Sequence, residues 1–448
     1  MNTTTTYATA SLPRQRIAVI GSGISGMSAA YYLSRKHEVH VFESAERLGG
    51  HTATMDVQCA DGSDWAIDTG FIVFNDRTYP HFQRLLERLD VAYQPTEMSF
   101  SVHTTAEDFE YNGHTLLSLF AQKRNLLRPR FYRLLRDILR FNKQAAADLD
   151  NGKLAEGATL GSYLDANGYS QVFREHYLLP MGAAIWSASI ADIAQFPLLF
   201  FVRFFRHHGL LSVNDRPQWF TLVGGSRAYI PPLTEGYAER IRLNSKITRV
   251  LRDADGVTLE HADGRRERFD QVVMACHAPQ ALALLGDASE QERAVLGAIT
   301  TQRNEVVMHT DTSLLPRRKA AWASWNYRLD GRDDAQRASV TYDMNILQRL
   351  DEREHPPRET FCITLNDSDA IDPARVLGRY AYDHPRFTLA AEAAKARFTQ
   401  ISGAQAKAEG AVGRTHFCGA WWRNGFHEDG VWSALRVAEA LGAREADD

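Results

Sequence analysis

The residues with the plainest chemical meaning are three glycines and one acid near the start of the chain: Gly21, Gly23, Gly26 and Glu43. A β-branched run, Ile17 to Ile20, enters the glycines. A helix-forming stretch follows, and a second apolar run, Val39 to Phe42, ends on Glu43. Each residue type has its own reason. Gly21 permits a tight turn, Gly23 lets the backbone approach a pyrophosphate, and Gly26 lets the helix pack closely on the strand. The helix start, with Ile24 and Ser25, offers free N–H groups and a positive dipole end to phosphates. Glu43 lies about 20 residues beyond the turn, where a carboxylate can accept ribose hydroxyls. The pattern predicts a dinucleotide site, and its acid disfavours a 2′-phosphate.

Composition bounds the rest. The chain has 448 residues, 44% hydrophobic and 24% charged, with a formal net charge of −4. That is ordinary globular usage, long enough for two or three domains. Neither the charge balance nor any motif points to nucleic acid. The four cysteines, Cys59, Cys276, Cys362 and Cys418, form no CxxC pair. They fit a reducing compartment and no metal site. Residues 1–13 open with a polar, threonine-rich stretch and are expected to form a disordered leader, not a signal peptide. No stretch reaches the roughly 18 apolar residues of a spanning helix, so a cytoplasmic protein is expected.

Elements that would position a site follow in order. Asp68-Thr69-Gly70 is a turn signal beside apolar runs. Val91 to Tyr111 reads as strands. In the run from Leu117 to Lys143, Phe131, Leu134, Leu135, Ile138 and Leu139 share one helical face, and Pro129 suits the helix start. Lys123, Arg124, Arg128, Arg130, Arg133, Arg136, Arg140 and Lys143 accompany them, with Asp137 the single acid. Two readings stand: a basic helix on an anionic membrane surface or substrate, and a helix with a core face and solvated charges. The phenylalanine-rich run 196–211 has three: a substrate tunnel, a membrane-interface segment (peripheral on the inner face) and buried core. Asp263-Gly264 signals a hairpin, Ser289 with Glu292 a capping box, and 317–327 and 338–347 sheet.

Three glycine-marked segments together carry a family resemblance. They are Arg16 to Gly50, ending in Arg47-Leu48-Gly49-Gly50; Trp219 to Leu233, with Gly224-Gly225; and Thr415 to Leu441, with Gly419, Gly430 and Val431. The chain resembles the flavin amine oxidase, phytoene desaturase and protoporphyrinogen oxidase superfamily. The words GGHTATM, DTGFIVFNDRTYPHF, SWNY and GAWWRNGFHEDGVWSA are similar to one bacterial subgroup of amine-oxidase-like proteins, whose genes often lie beside cyclopropane-fatty-acid-synthase-like methyltransferases.

The resemblance implies an α/β fold: a Rossmann-like FAD-binding domain of glutathione-reductase type, over 14–80, 217–288 and 405–448. An α+β substrate domain would be inserted over 81–216 and 289–404. It implies FAD held by Gly21, Gly23, Ile24, Ser25, Gly26, Glu43, Ser44, Arg47, Leu48, Gly49, Gly50, Thr52, Val250 (through its backbone, to adenine), Gly419, Gly430 and Val431. The helix at Gly430 would point its positive end at the flavin pyrimidine. No cysteine follows Gly419 in the flavin loop, so the FAD is expected to be noncovalent.

Departures leave the catalytic groups open. His51 stands where many relatives have arginine, and either transfers protons or is structural. Trp421 and Trp422 either wall the substrate site or pack. Lys319 is the only lysine in a suitable segment for a lysine–water pair, and is not assigned to that role. The expected reaction is hydride transfer from a hydrophobic small molecule or lipid acyl chain to flavin N5. The alternatives are an amine oxidase releasing peroxide and a non-redox flavoenzyme resembling UDP-galactopyranose mutase.

Overall fold

The computed structural model describes residues 13–329, 339–403 and 413–443. The expected leader therefore lies, Pro13 excepted, outside the described residues. The chain divides into two compact units. The first comprises residues up to Gly50, Ile230–Gly297 and Lys395 onward; the second comprises His51–Tyr229 and Ala298–Ala394.

The first unit is built on a parallel sheet. Its order is Ile241–Arg242, Glu38–Phe42, Arg16–Ile20, Gln271–Met274, Thr415–Phe417. Ile17, Val19, Val39, Val41, Val272 and Val273 are fully buried, as expected for strands covered on both faces. The helices Ile24–Leu33 and His427–Ala440 pack together. A separate antiparallel sheet joins Ile247–Asp253, Gly256–His261 and Arg266–Phe269, with the expected turn at Gly264. The capping box forms: Ser289 N–H donates to Glu292 Oε2 (2.8 Å) and Glu292 N–H to Ser289 Oγ (3.2 Å). Buried Glu292 also binds both guanidinium nitrogens of Arg252.

The second unit carries a seven-stranded mixed sheet. Its order is Val376–Pro385, Thr301–His309, Cys362–Leu365, Val340–Asp343, Trp325–Arg328, Phe100–Thr104, Phe109–Asn112. The unit boundaries differ from the expected 14–80, 217–288 and 405–448 because residues 51–80 pair inside this unit. Thr54–Gln58 pairs with Asp64–Asp68, and Val73–Asn75 with Trp219–Leu222. The segment 317–327, expected as sheet, is strand only at its end. Glu110 receives the Arg317 N–H (2.9 Å) and the Arg318 guanidinium (2.5 Å), which pins the earlier part as loop and a short turn over Lys319–Ala321.

Pro129–Asp150 is a 22-residue helix with proline in its first turn. Its buried line is Phe131, Leu134, Phe141 and Ala145. Leu139 does not belong to it: at 3.6 residues per turn it falls about 120° from the middle of that line, and it is 58% exposed. Asp137 is buried and accepts the Ser170 N–H (3.1 Å). The 196–211 run turns inward. Phe196, Phe201 and Phe204 are buried around Trp186, and Phe205 stacks on Phe201, so these phenylalanines form interior wall. Among the described residues no helix is long and apolar enough to cross a membrane.

Asp343 caps the helix Met344–Leu347 through the N–H groups of Asn345 (3.0 Å) and Ile346 (3.3 Å). Burial, with Asp351 and Glu97 nearby, pushes its carboxyl up to about 7. A folded value above the unfolded 3.8 gives stability that is complete below pH 4 and lost as pH rises through about 7. Asp343→Asn keeps the cap and removes the charge. It should raise unfolding free energy at pH 8 by roughly 2–4 kcal/mol, with the gain vanishing by pH 4. Denaturant titrations at both pH values check this; a gain independent of pH would refute it.

Candidate functional site

The glycine turn at the end of Arg16–Ile20 is shaped by what its glycines lack. Gly21 has φ +105°, and its N–H donates to Phe42 O (2.9 Å). A Cβ on Gly26 would lie 2.0 Å from Gly21 O, so only hydrogen permits this approach. At Gly23 a Cβ would meet nothing within 4 Å. Gly23 also caps the helix Ile24–Leu33 without a side chain, and the first turn holds no acid. The turn thus presents open backbone and the positive end of a helix, which is what a diphosphate requires.

The second glycine pair packs on the first. Gly49 forms a parallel bridge with Gly23, and its N–H donates to Ser22 O (3.1 Å). Arg47 folds back along this loop, donating to Leu48 O (3.1 Å) and Gly50 O (2.9 Å). Glu43 sits beside the turn with its carboxylate fixed. Oε2 accepts from Ser22 N–H (3.0 Å) and Ser22 Oγ (2.6 Å), and Oε1 from Ala45 N–H (2.9 Å) and Ser44 Oγ (3.3 Å). Ser22 is a site residue that the motif alone does not single out.

The C-terminal segment joins the same unit. A Cβ on Gly430 would lie 2.6 Å from Ile24 Cγ2 and 2.9 Å from Ser25 Oγ. Cys418 Sγ lies 3.4 Å from Ser25 O and 3.4 Å from Ser433 Oγ, and Ser433 Oγ accepts the Gly419 N–H (2.9 Å). Gly430 lies inside the first turn of a helix that begins at His427, with Val431 fully buried behind it. Asp429, in that turn, accepts from the N–H groups of Phe426 (2.9 Å) and Asn424 (3.1 Å), and burial pushes its carboxyl up to about 6. The rings of Trp421 and Trp422 lie 4.2 Å apart, tilted by 34°, and are almost wholly buried. Trp421 Nε1 donates to Cys276 O (3.1 Å), and Trp422 packs edge-on to Phe398.

Val250 corrects an expectation. Its carbonyl accepts the Gly286 N–H (2.9 Å), and it bridges Leu285 in parallel fashion. Its backbone is thus committed within the protein and does not suit adenine binding. The backbone beside Glu43 is instead Asn244–Ser245, whose N–H groups reach Ala45 O (2.9 Å) and Glu43 O (2.8 Å).

His51 and Thr52 belong to the second unit. The His51 ring lies 5.2 Å from that of Tyr382 and 5.3 Å from that of His384. His384 Nδ1 receives Asn304 Nδ2 (2.7 Å), which leaves Nε2 as its protonated nitrogen. Thr52 bonds Tyr229 OH. Asp68 organises this region. It accepts from Ser226 N–H (2.8 Å), Ser226 Oγ (2.8 Å) and Thr54 Oγ1 (2.6 Å), and burial pushes it up to about 6. Lys319 is exposed and lies over the Trp322 ring. Among the described residues no cluster could hold a metal ion.

An α/β chain with this turn and this C-terminal helix falls in the class of FAD-dependent amine-oxidase-type folds. The family model described as flavin containing amine oxidoreductase matches residues 24–442, and the chain belongs to that family. It is an FAD-dependent oxidoreductase. Prenylcysteine oxidase 1 of Bos taurus is 50% identical over 50 residues, 10% of this chain and 10% of that protein. The L-amino acid oxidase of Cerastes cerastes is 46% identical over 41 residues, 9% and 8% of the two chains. These matches thus span about a tenth of the curated relatives' length. Among solved structures, cyclohexylamine oxidase from Brevibacterium oxydans IH-35A has TM-score 0.65 at 17% identity, covering 96% of this chain and 99% of that one. The CLA-producing fatty acid isomerase from P. acnes has TM-score 0.66 at 15% identity, covering 95% and 98%. At these identities the likeness shows the fold.

The tight approaches can be tested. Gly26→Ala forces a backbone shift at Gly21 O, whereas Gly430→Ala presses on side-chain atoms of Ile24 and Ser25. Gly26→Ala should purify without flavin absorbance. Gly430→Ala should retain flavin but lose roughly 1–3 kcal/mol in denaturant unfolding. Full flavin loading of Gly26→Ala would refute the packing argument.

Proposed function

We propose that the first unit is a Rossmann-like, glutathione-reductase-type site that holds FAD noncovalently, and that the enzyme removes hydrogen from a lipid acyl chain in a desaturase-like reaction. The diphosphate would lie on Gly21, Gly23, Ile24, Ser25 and Gly26, with Arg47, Leu48, Gly49 and Gly50 closing around it. Glu43, supported by Ser44, would take the ribose. Gly419, Gly430 and Val431 would serve the flavin end. The open face of Gly23 supports this fit. Burial pushes the thiols of Cys276 and Cys418 up to about 12, which keeps them protonated and unreactive and supports a noncovalent cofactor. The four unpaired cysteines agree with a cytoplasmic setting.

Bound FAD supplies the two-electron acceptor; the chain supplies the rest. The observation that carries an acyl substrate is an aromatic-walled cleft of about 370 Å³ in the second unit. Its walls include Trp186, Phe196, Phe387 and Leu389, and its neutral polar lining includes Gln195 and Gln302. Phe200 stacks on Phe387 at 5.0 Å and extends the apolar wall. Such a cleft binds methylenes by excluding water, at about 0.8 kcal/mol for each one buried. It offers an amine little: its one carboxylate, Asp192, is paired with Arg386 (2.8 Å). Dehydrogenation also releases a proton, and His51, beside His384, is the group we assign to receive it. Trp421 and Trp422, being buried, are packing residues in this reading.

Anaerobic mixing of the yellow enzyme with phospholipids or fatty acids bearing methyl-branched or unsaturated chains should bleach the flavin. Phe387→Asp should slow that reduction at least about tenfold, equivalent to about 1.4 kcal/mol. Bleaching by amines alone, with peroxide on re-aeration, would show an amine oxidase instead. Product formed without net reduction would show the mutase-like chemistry.

A further inference from the structure

Eleven large apolar side chains are exposed among the described residues, and six lie between Leu116 and Leu139. They are Leu116, Leu117, Leu126, Leu127, Tyr132 and Leu139. Leu117, Leu127 and Leu116 are 86%, 85% and 77% exposed, while no other exceeds 58%. A cluster of this kind on a folded surface marks a contact site.

The segment is inverted relative to an ordinary core element. Between Leu116 and Leu127 the buried residues are polar: Ser118, Gln122 and Asn125. Gln122 accepts the Glu110 N–H (3.3 Å) and donates to Asp108 O (2.7 Å); Asn125 Nδ2 donates to Glu110 O (3.0 Å). Thr115 and Ser118 cap the short helix Leu116–Leu119 reciprocally, and Tyr132 OH donates to Leu126 O (2.9 Å). These bonds hold two short turns in place with their leucines pointing outward.

The same stretch of chain is cationic. Eight lysines and arginines fall between residues 123 and 143 against one acid, the buried Asp137. Glu107 and Asp108 on the neighbouring hairpin take up Arg130 and Arg124. Lys123, Arg133 and Lys143 are exposed and make no ion pair among the described residues. A second copy of the chain would face this charge with the same charge across a two-fold interface, which is unfavourable. An anionic bilayer answers both features. Its headgroups attract the cations, and its interfacial layer accepts the leucines.

We infer that residues 116–143 form a docking face for an anionic phospholipid bilayer, with Leu116, Leu117, Leu126 and Leu127 inserting and Lys123, Arg133 and Lys143 meeting headgroups. The inference rests on exposure and charge, and stands apart from the substrate assigned above.

Co-sedimentation of the FAD-loaded enzyme with vesicles of phosphatidylcholine alone, and of phosphatidylcholine with phosphatidylglycerol, tests it. The enzyme should partition at least about tenfold more strongly onto the anionic vesicles, and added salt should weaken this. Leu117→Glu/Leu127→Glu should reduce binding at least about tenfold. Lys123→Glu/Arg133→Glu/Lys143→Glu should abolish the anionic preference. Unchanged flavin absorbance and melting temperature would show that both variants fold. Absence of binding by the parent enzyme, equal binding to neutral and anionic vesicles, or undiminished binding by the leucine variant would each overturn the proposal. A concentration-dependent dimer lost in the leucine variant, without vesicle binding, would assign the face to a second copy and overturn it too.

Discussion

The first unit depends on one close approach between backbones. At Gly26 the helix Ile24–Leu33 comes so near Gly21 that an added Cβ would sit 2.0 Å from its carbonyl oxygen. The same Cβ would lie 3.1 Å from Ala275 Cβ, and a Cβ on Gly21 would lie 2.9 Å from Ala275 O. Gly430 then presses the C-terminal helix against Ile24 and Ser25. Segments hundreds of residues apart thus meet where side chains are missing. Interiors are packed too densely to absorb even one methylene cheaply, so these glycines fix strand order and helix placement together. The same economy leaves Gly23 bare, and the binding feature is the backbone itself.

The second unit is organised differently, around buried polar side chains. Asp68 draws Thr54 and Ser226 together, while its own N–H donates to Gln348 Oε1 (3.0 Å) and Gln348 donates to Ala66 O (3.1 Å). Thr69 bonds Tyr382 OH (2.7 Å). Each buried polar atom named here has a partner, which a low-dielectric interior demands. Carboxyls such as Asp68 and Asp343 respond to that interior by holding protons to higher pH.

How much of this was legible in the sequence follows from range. The glycine turn, its strands, Glu43 and the Ser289–Glu292 cap are local patterns, and local patterns carry their own physics. Asp68 and Ser226 are 158 positions apart, and no spacing rule connects them. Val250 reads correctly as strand, but periodicity cannot show that the chain near Gly286 returns to cover its edge. Leu139 matches the helical template, yet over 22 residues the buried line is set by what packs on it, and Leu139 lies off that line. The tryptophan pair was legible as a motif but not as buried. Residues 51–80 follow the nucleotide motif directly, but their strand partners lie in the second unit.

The inverted segment shows how a fold constraint and a functional feature separate. Phe109–Asn112 is one of the two edge strands of the seven-stranded sheet, and an uncovered edge invites pairing with other chains. Gln122 and Asn125 supply amide groups to Glu110 N–H and C=O, as a further strand would. That requirement explains the polar inner side. It says nothing about the outer side, where lysine or glutamate would serve the edge equally well and keep the surface more soluble. Leucine at 116, 117, 126 and 127 therefore has no origin in the stability of this unit. Its cause has to be sought in something outside the chain that takes up apolar side chains and tolerates, or prefers, a ring of positive charge.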